Sequence, residues 1–205
     1  MTKNSLQKPE PCPGCGLSFQ CLCTLIPKLN SKTEIILLTH PNEMLRDTNS
    51  GKIVSQTLNN CSTFLWDRKQ PDAELLRRIN SKDKRVLLLF PSEKSCSLEQ
   101  MDCKAASQSE FLFIILDSTW QEAKKMLNKS EWLKDIATVH LTTDRPSAYS
   151  LRKNQQPGNL CTCEVAIELL SQLGQTTEAA QLSDYFQHYL SVFKADKSGH
   201  KYKES

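Results

Sequence analysis

Four cysteines fall within twelve residues, Cys12, Cys15, Cys21 and Cys23, in the spacing Cys-x2-Cys-x5-Cys-x-Cys. In a reducing compartment such a cluster reads as thiolate ligands for a metal rather than as disulfides, and zinc takes four thiolates in a tetrahedron at about 2.3 Å. Gly14 and Gly16 supply the tight turns that let neighbouring thiols converge on one ion. Four protein ligands close the coordination sphere, so the expected zinc is structural. Two rival readings are a chance cluster of small residues and a redox pair of Cys12 with Cys15; no thioredoxin-like βαβ pattern accompanies the latter. Cys61, Cys96 and Cys103 are scattered and read as small apolar residues.

A second concentration of chemistry lies at Phe111–Trp120, FLFIILDSTW, an apolar run that ends in an acid and is followed by the helical string QEAKKML. A carboxylate such as Asp117, at a strand end beside a helix start, suits a general base, a role worth about 10²–10⁴-fold in rate. The competing reading is that it caps the following helix. Ser118 and Thr119 offer hydroxyls and backbone donors at a helix N-terminus, a place that binds carboxylates or phosphates. Trp120 can stack on a nucleobase or anchor a core. Arg152 carries a donor fork for a carboxylate or phosphate, and Glu164 either fixes it or grips an amino group; an ion pair between helices is the alternative. His40 is expected to shape its turn, with Glu43 and Asn49 lining a pocket.

Apolar runs alternating with amphipathic stretches must position these residues, and that alternation predicts an α/β domain with a mostly parallel sheet flanked by helices. Strands are expected at Glu34–Thr39, Thr63–Trp66, Arg85–Phe90, Phe111–Leu116 and Thr138–Leu141, short and nearly all apolar as strands buried on both faces should be. Helices are expected at Gly51–Asn59, Asp72–Ile79, Ser118–Asn128, Thr162–Leu173 and Glu178–Phe193. The Ser-rich stretch Ser92–Glu110 reads as a loop. His40, Pro91 and Asp117 each follow a strand, and ligands in open α/β sheets bind beyond the carboxyl ends of strands. Residues 1–30 are expected to form a small zinc-binding element, 31–194 the catalytic domain, and 195–205 a basic polar tail.

With 205 residues, 39% apolar and 24% charged, the chain falls in the ordinary globular range. No run approaches the roughly 18–20 apolar residues of a membrane span, and the polar start lacks a secretory pattern, so a cytoplasmic protein is expected. A net charge of +3 decides nothing about nucleic acid. Local clusters suggest more: Lys82, Lys84 and Arg85; Arg145, Arg152 and Lys153; and Lys194, Lys197, Lys201 and Lys203.

Asp117-Ser118-Thr119-Trp120 resembles the motif for which the DTW-domain family of tRNA-uridine aminocarboxypropyltransferases is named. Other family-like features follow in the family's order: the cysteine start, His40-Pro41-x-Glu43 with Asn49, Leu89-Phe90-Pro91, Tyr149-Ser150-Leu151-Arg152, and Cys161-Thr162-Cys163-Glu164, similar to the family's S-T-x-E with Cys161 in place of Ser. The resemblance covers about Cys12 to Tyr189. It implies a SPOUT-like fold, with a possible C-terminal trefoil knot, and S-adenosylmethionine as donor of a 3-amino-3-carboxypropyl group to N3 of a uridine in the tRNA variable loop. It further implies Asp117 as the catalytic base. Ser118, Thr119, Trp120, Pro91, Arg152, Thr162 and Glu164 then surround the donor, and His40, Glu43, Asn49, Arg145, Tyr149 and Lys153 the RNA. The rivals are a SPOUT-type RNA methyltransferase, an aminocarboxypropyltransferase of ribosomal RNA, and a non-enzymatic zinc-ribbon RNA-binding module.

Overall fold

Two strands with nearly every residue buried lie side by side inside a parallel sheet, where both faces are covered. In the computed structural model, which describes residues 9–101, 110–142, 149 and 160–203, these are β1 (Glu34–Thr39) and β5 (Phe111–Asp117). They join β2 (Cys61–Leu65), β3 (Arg85–Leu89), β4 (Cys96–Ser97) and β6 (Ala137–His140) in the order β2-β1-β5-β3-β6-β4, every pairing parallel. The helices are α1 (Pro41–Met44), α2 (Gly51–Thr57), α3 (Ala73–Ile79), α4 (Trp120–Lys129), α5 (Thr162–Gln172) and α6 (Thr176–Lys197).

Side chains alternate across a strand, so the two central strands divide between two cores. Ile35, Leu37, Phe111, Phe113 and Ile115 pack with α2, α5 and α6 on one face. Ile36, Leu38, Leu112, Ile114 and Leu116 pack with Leu75 of α3 and Ala123 and Met126 of α4 on the other. The same parity carries past the strand ends. Thr39 and Asp117, register partners at the last step of the ladder, belong to the first face. His40 belongs to the second.

The sheet also has a reversal in its winding. From β1 the chain passes through α1 and α2 to β2 on one side, whereas from β5 it passes through α4 to β6 on the other. The carboxyl ends of β1 and β5 therefore flank a topological switch point, where the two connections leave a crevice.

Several expectations shift. The stretch Ser92–Glu110 contains the two-residue edge strand β4, too short to show any apolar alternation. The helix after β5 starts at Trp120 rather than Ser118, because Thr119 is its cap. Helix α6 runs through Lys197, into the stretch expected to be a polar tail. The segment between β6 and α5, through which a knot would be threaded, falls largely on residues 143–148 and 150–159, outside the described ones.

The cysteine element does not stand apart. Leu17 and Leu22 share a small core with Val192 and Phe193 of α6, and the buried Asp196 Oδ1 accepts from the backbone N–H groups of Ser18 (2.6 Å) and Phe19 (2.8 Å). Tyr202 also packs on this element and donates its N–H to Gln20 Oε1 at 3.0 Å. Asp196→Ala strands two N–H groups and should cost roughly 1–3 kcal/mol; an unchanged urea midpoint would show that the acid does not fasten this element.

Candidate active site

The deepest polar group at the switch point is Asp117, only 2% exposed. Its Oδ1 accepts from the Thr162 hydroxyl at 2.8 Å; its Oδ2 accepts from the Thr39 hydroxyl and from Asn49 Nδ2, each at 3.0 Å. Burial pushes its pKa up, and the Thr162 and Asn49 hydrogen bonds pull against that shift. Gly51, first residue of α2, lies flat on the carboxylate: a Cβ there would sit 2.6 Å from both oxygens and from Cγ. Four elements thus meet on one acid: β1, the turn before α2, the end of β5 and the start of α5.

Capping of α4, the competing role considered for Asp117, falls to Thr119. Its hydroxyl receives the Glu122 N–H at 3.3 Å, while Glu122 Oε2 receives the Thr119 N–H at 2.9 Å, a reciprocal capping box. The donors of Thr119 that the sequence offered to an anionic ligand are therefore committed within the helix. Ser118 differs. Its hydroxyl oxygen is buried without a hydrogen-bond partner among the described residues, and a buried polar atom left unpaired is costly. A ligand with a polar group beside the end of β5 would satisfy it.

On the second face a charge network braces the turn after β1. Arg46 spans Glu43 and Glu122, at 2.8 Å to Glu122 Oε2, and Asn42 Nδ2 donates to Glu122 Oε1 at 2.9 Å. Glu43 is fully buried. Glu122 is held well below the usual carboxylate range: burial opposes the shift, and Arg46 with Thr119 and Asn42 outweighs it. His40 does shape its turn, since Nδ1 accepts the Asn42 N–H at 3.2 Å and the ring stacks on Trp66 at 5.3 Å.

Asn49 has two uses. Its amide donates to Asp117, and its Oδ1 accepts from Gly51 N (2.6 Å) and Lys52 N (3.3 Å), closing the first turn of α2. Glu164 completes the start of α5 by accepting the Cys161 N–H at 2.9 Å and also receives the Tyr149 N–H at 3.2 Å. The S-T-x-E-like string is thus the start of a helix whose glutamate serves the backbone. Tyr149 is buried, donates its hydroxyl to the Thr48 carbonyl and stacks on Phe186 at 6.2 Å. Trp120 is 38% exposed and stacks on Phe90 at 5.1 Å, next to the exposed Pro91. Arg145, Arg152 and Lys153 lie outside the described residues.

Thr39, Gly51, Arg46 and Glu122 escaped the sequence reading. Glu122 sits three residues after Thr119, the spacing of a capping box, and could have been found; Thr39 and Gly51 carry no local sign of facing an acid 78 and 66 positions away.

The cysteine cluster is assembled. Sγ of Cys12 lies 3.6 Å from those of Cys21 and Cys23, Cys15 lies 3.9 Å from Cys21, and all four sulfurs fall within 4.8 Å of one another. Four ligands about 2.3 Å from one ion would be separated by roughly 3.8 Å, so this donor set could hold a tetrahedral metal ion. Gly14 is required here, since a Cβ would come 2.6 Å from Cys23 Sγ, and Gly16 has φ +75°. Backbone N–H groups of Cys15 and Gly14 bring the Cys12 thiol down to about 6.

Two outcomes follow. Gly51→Ala should destabilise by about 1–3 kcal/mol through overpacking against the carboxylate, and a urea midpoint equal to that of the parent would contradict the close approach. Cys12→Ser should lower bound metal and thermal stability together; a full equivalent of metal by elemental analysis would remove Cys12 from the ligand set.

The described residues form no helix long and apolar enough to cross a membrane. No solved structure matches this chain. Among curated proteins it is 28% identical over 183 residues to a Drosophila melanogaster tRNA-uridine aminocarboxypropyltransferase 2, covering 86% of this chain and 71% of that one. It is 26% identical to the Mus musculus protein of the same name (78% and 56% covered). It is 30% identical to an Arabidopsis thaliana tRNA-uridine aminocarboxypropyltransferase A (60% and 52% covered). The chain spans only about half the length of the latter two. The DTW domain family matches residues 9–194, so the switch-point acid with its Ser-Thr-Trp sequel and the assembled cysteines belong to a member of the DTW domain family.

Proposed function

We propose that this protein transfers the 3-amino-3-carboxypropyl group of S-adenosylmethionine to N3 of a uridine in the variable loop of a tRNA. The observation that carries the reading is the family match across nearly the whole chain, with relatives named tRNA-uridine aminocarboxypropyltransferase. The geometry supports it through one feature: an orphaned buried hydroxyl, Ser118, at the crevice between β1 and β5, with an exposed indole beside it. Zinc is the ion proposed for the four cysteines, in a closed structural role. A SPOUT-like ancestry and a knotted C-terminus belong to the same reading, as does a cytoplasmic location.

When bound, S-adenosylmethionine supplies an electrophilic γ-carbon on a sulfonium. N3 forms its bond to that carbon, the C–S bond breaks with its electrons passing to sulfur, and methylthioadenosine departs. The imide proton passes first to solvent water, and a nearby sulfonium favours the anion that remains. Ser118 and Trp120 are the groups proposed to meet ligand: the unpaired hydroxyl a polar group of the donor, the exposed indole a base face. Arg152 is proposed to pair with the donor carboxylate.

For Asp117 the buried setting supports positioning over direct proton abstraction. Both carboxylate oxygens already accept hydrogen bonds from protein, and a base must lie within about 2.6–3.2 Å of the proton it takes. As a positioning residue it fixes the starts of α2 and α5 relative to the ends of β1 and β5, and misplacement of such elements by about 1 Å can cost roughly 10²-fold in rate.

Mass spectrometry of nucleosides from unmodified tRNA incubated with protein and S-adenosylmethionine should show uridine enlarged by one aminocarboxypropyl unit, with methylthioadenosine released. A gain of one methyl with S-adenosylhomocysteine instead would identify a methyltransferase. Asp117→Ala should lower the single-turnover rate about a hundredfold or more, whereas Asp117→Asn, which keeps the packing, should retain part of the rate and the parent pH profile. Loss of a low-pH limb in the Asn variant would restore the proton-acceptor role.

A further inference from the structure

One broad face of α4 carries positive charge that nothing in the described structure neutralises. Trp120, Lys124, Lys125 and Lys129 are all exposed, and at about 100° per residue they occupy the half of the helix opposite Ala123 and Met126, which enter the core. No described carboxylate pairs with Lys124, Lys125 or Lys129; Lys124 Nζ lies instead 5.4 Å from the centroid of the Trp120 ring. Several cations elsewhere are engaged: Arg78 and Lys84 on Glu34, Arg77 on Glu74, Lys134 on Glu131, and Lys197 on Asp47. The first basic cluster picked out in the sequence is thus partly neutralised by Glu34, and α4 presents its lysines to water.

The indole gives this face a second property. Trp120 keeps 38% of its surface exposed, so part of its apolar area stays in contact with solvent. Here the ring is held flat against Phe90, with an interplanar angle of 10°, and the Lys124 ammonium lies over the ring, so a stacking base would displace that flexible side chain toward its phosphates. A flat, half-exposed aromatic followed along one helix by unpaired cations is the arrangement that binds single-stranded nucleic acid, stacking a base and tracking the phosphates behind it. It also begins at the crevice: α4 starts three residues after Asp117.

We propose that this face of α4 is the RNA-docking surface, with Trp120 stacked on a base adjoining the reactive nucleotide and Lys124, Lys125 and Lys129 set against the phosphates of the strand leading away from it. The assignment rests on the proposed tRNA acceptor. Lys129 stands about 13 Å along the helix from Trp120, so the cations reach well beyond the crevice. No acidic residue lies on this face to repel a phosphate: the helix's acid, Glu122, is turned inward to Arg46 and Thr119.

The test measures binding of an unmodified tRNA transcript across a salt titration. The triple variant Lys124→Ala/Lys125→Ala/Lys129→Ala should bind at least tenfold more weakly near 0.15 M salt than the parent, and its log–log salt slope should fall by about two to three units. A matched variant at the amino-terminal edge of the sheet and the chain end, Lys32→Ala/Lys82→Ala/Lys203→Ala, should stay close to the parent. Trp120→Leu should weaken binding roughly tenfold with the slope unchanged, the mark of lost stacking rather than lost charge. Calorimetry with S-adenosylmethionine should give the same affinity for the parent and the α4 triple variant, showing an intact crevice. Equal slopes for the two triple variants would overturn the docking surface while leaving the tRNA reading in place. A parent protein without affinity for tRNA would overturn both. Retention of the parent, but not the α4 triple variant, on phosphatidylserine vesicles, with tRNA binding unaltered, would assign the face to a membrane surface instead.

Discussion

A carboxylate taken out of water costs several kcal/mol unless it finds donors, and the donors around Asp117 are what bring this structure's parts into register. The Thr39 hydroxyl comes from the neighbouring strand, the Asn49 amide from the turn before α2, and the Thr162 hydroxyl from the first turn of α5. Each would lose its partner if its element shifted, so the acid ties the separate connections of the sheet to one point. The Gly51 backbone closes the remaining side, where any larger residue would intrude on the oxygens. The result is a rigid floor beneath the crevice of the switch point.

The opposite face of the same sheet edge is braced by charge instead of neutral donors. Arg46 joins the turn after β1 to the first turn of α4 through Glu43 and Glu122, and His40 fixes that turn by accepting a backbone N–H and stacking on Trp66. The capping box of α4 draws on the same glutamate. Glu122 therefore holds together the helix start that displays Trp120 and the turn that follows β1. Two acids, the buried Asp117 on one face and the partly covered Glu122 on the other, set the geometry around Ser118 without occupying its hydroxyl.

The cysteine element enters the same framework from the far end of the chain. Asp196 and the apolar contacts of Val192 and Phe193 seat it on α6, and α6 packs against α5, whose start holds Thr162. Metal binding at the four thiols and order at the carboxylate floor are thus connected through two packed helices, a continuity that a freely hinged zinc module would lack.

The sheet was legible in the sequence because its strands are buried on both faces and read as unbroken apolar runs. All five expected strands and all five expected helices have counterparts; β2 is displaced by two residues at its start, and α6 runs four residues past its expected end. The cysteine cluster and Asp117-Ser118-Thr119-Trp120 were legible because metal geometry and strand-end acids impose short, local spacings. What remained hidden was long-range. Nothing around Thr39, Gly51 or Thr162 announces that the three converge on one carboxylate, since their proximity follows from strand order and from the parity of β1 and β5. Charge partners were hidden for the same reason: Lys84 meets Glu34 and Arg46 meets Glu122 only after the chain has folded. Residue types and local spacing decided which groups exist to do chemistry; the tertiary arrangement decided which of them are already satisfied by protein and which face outward to a ligand.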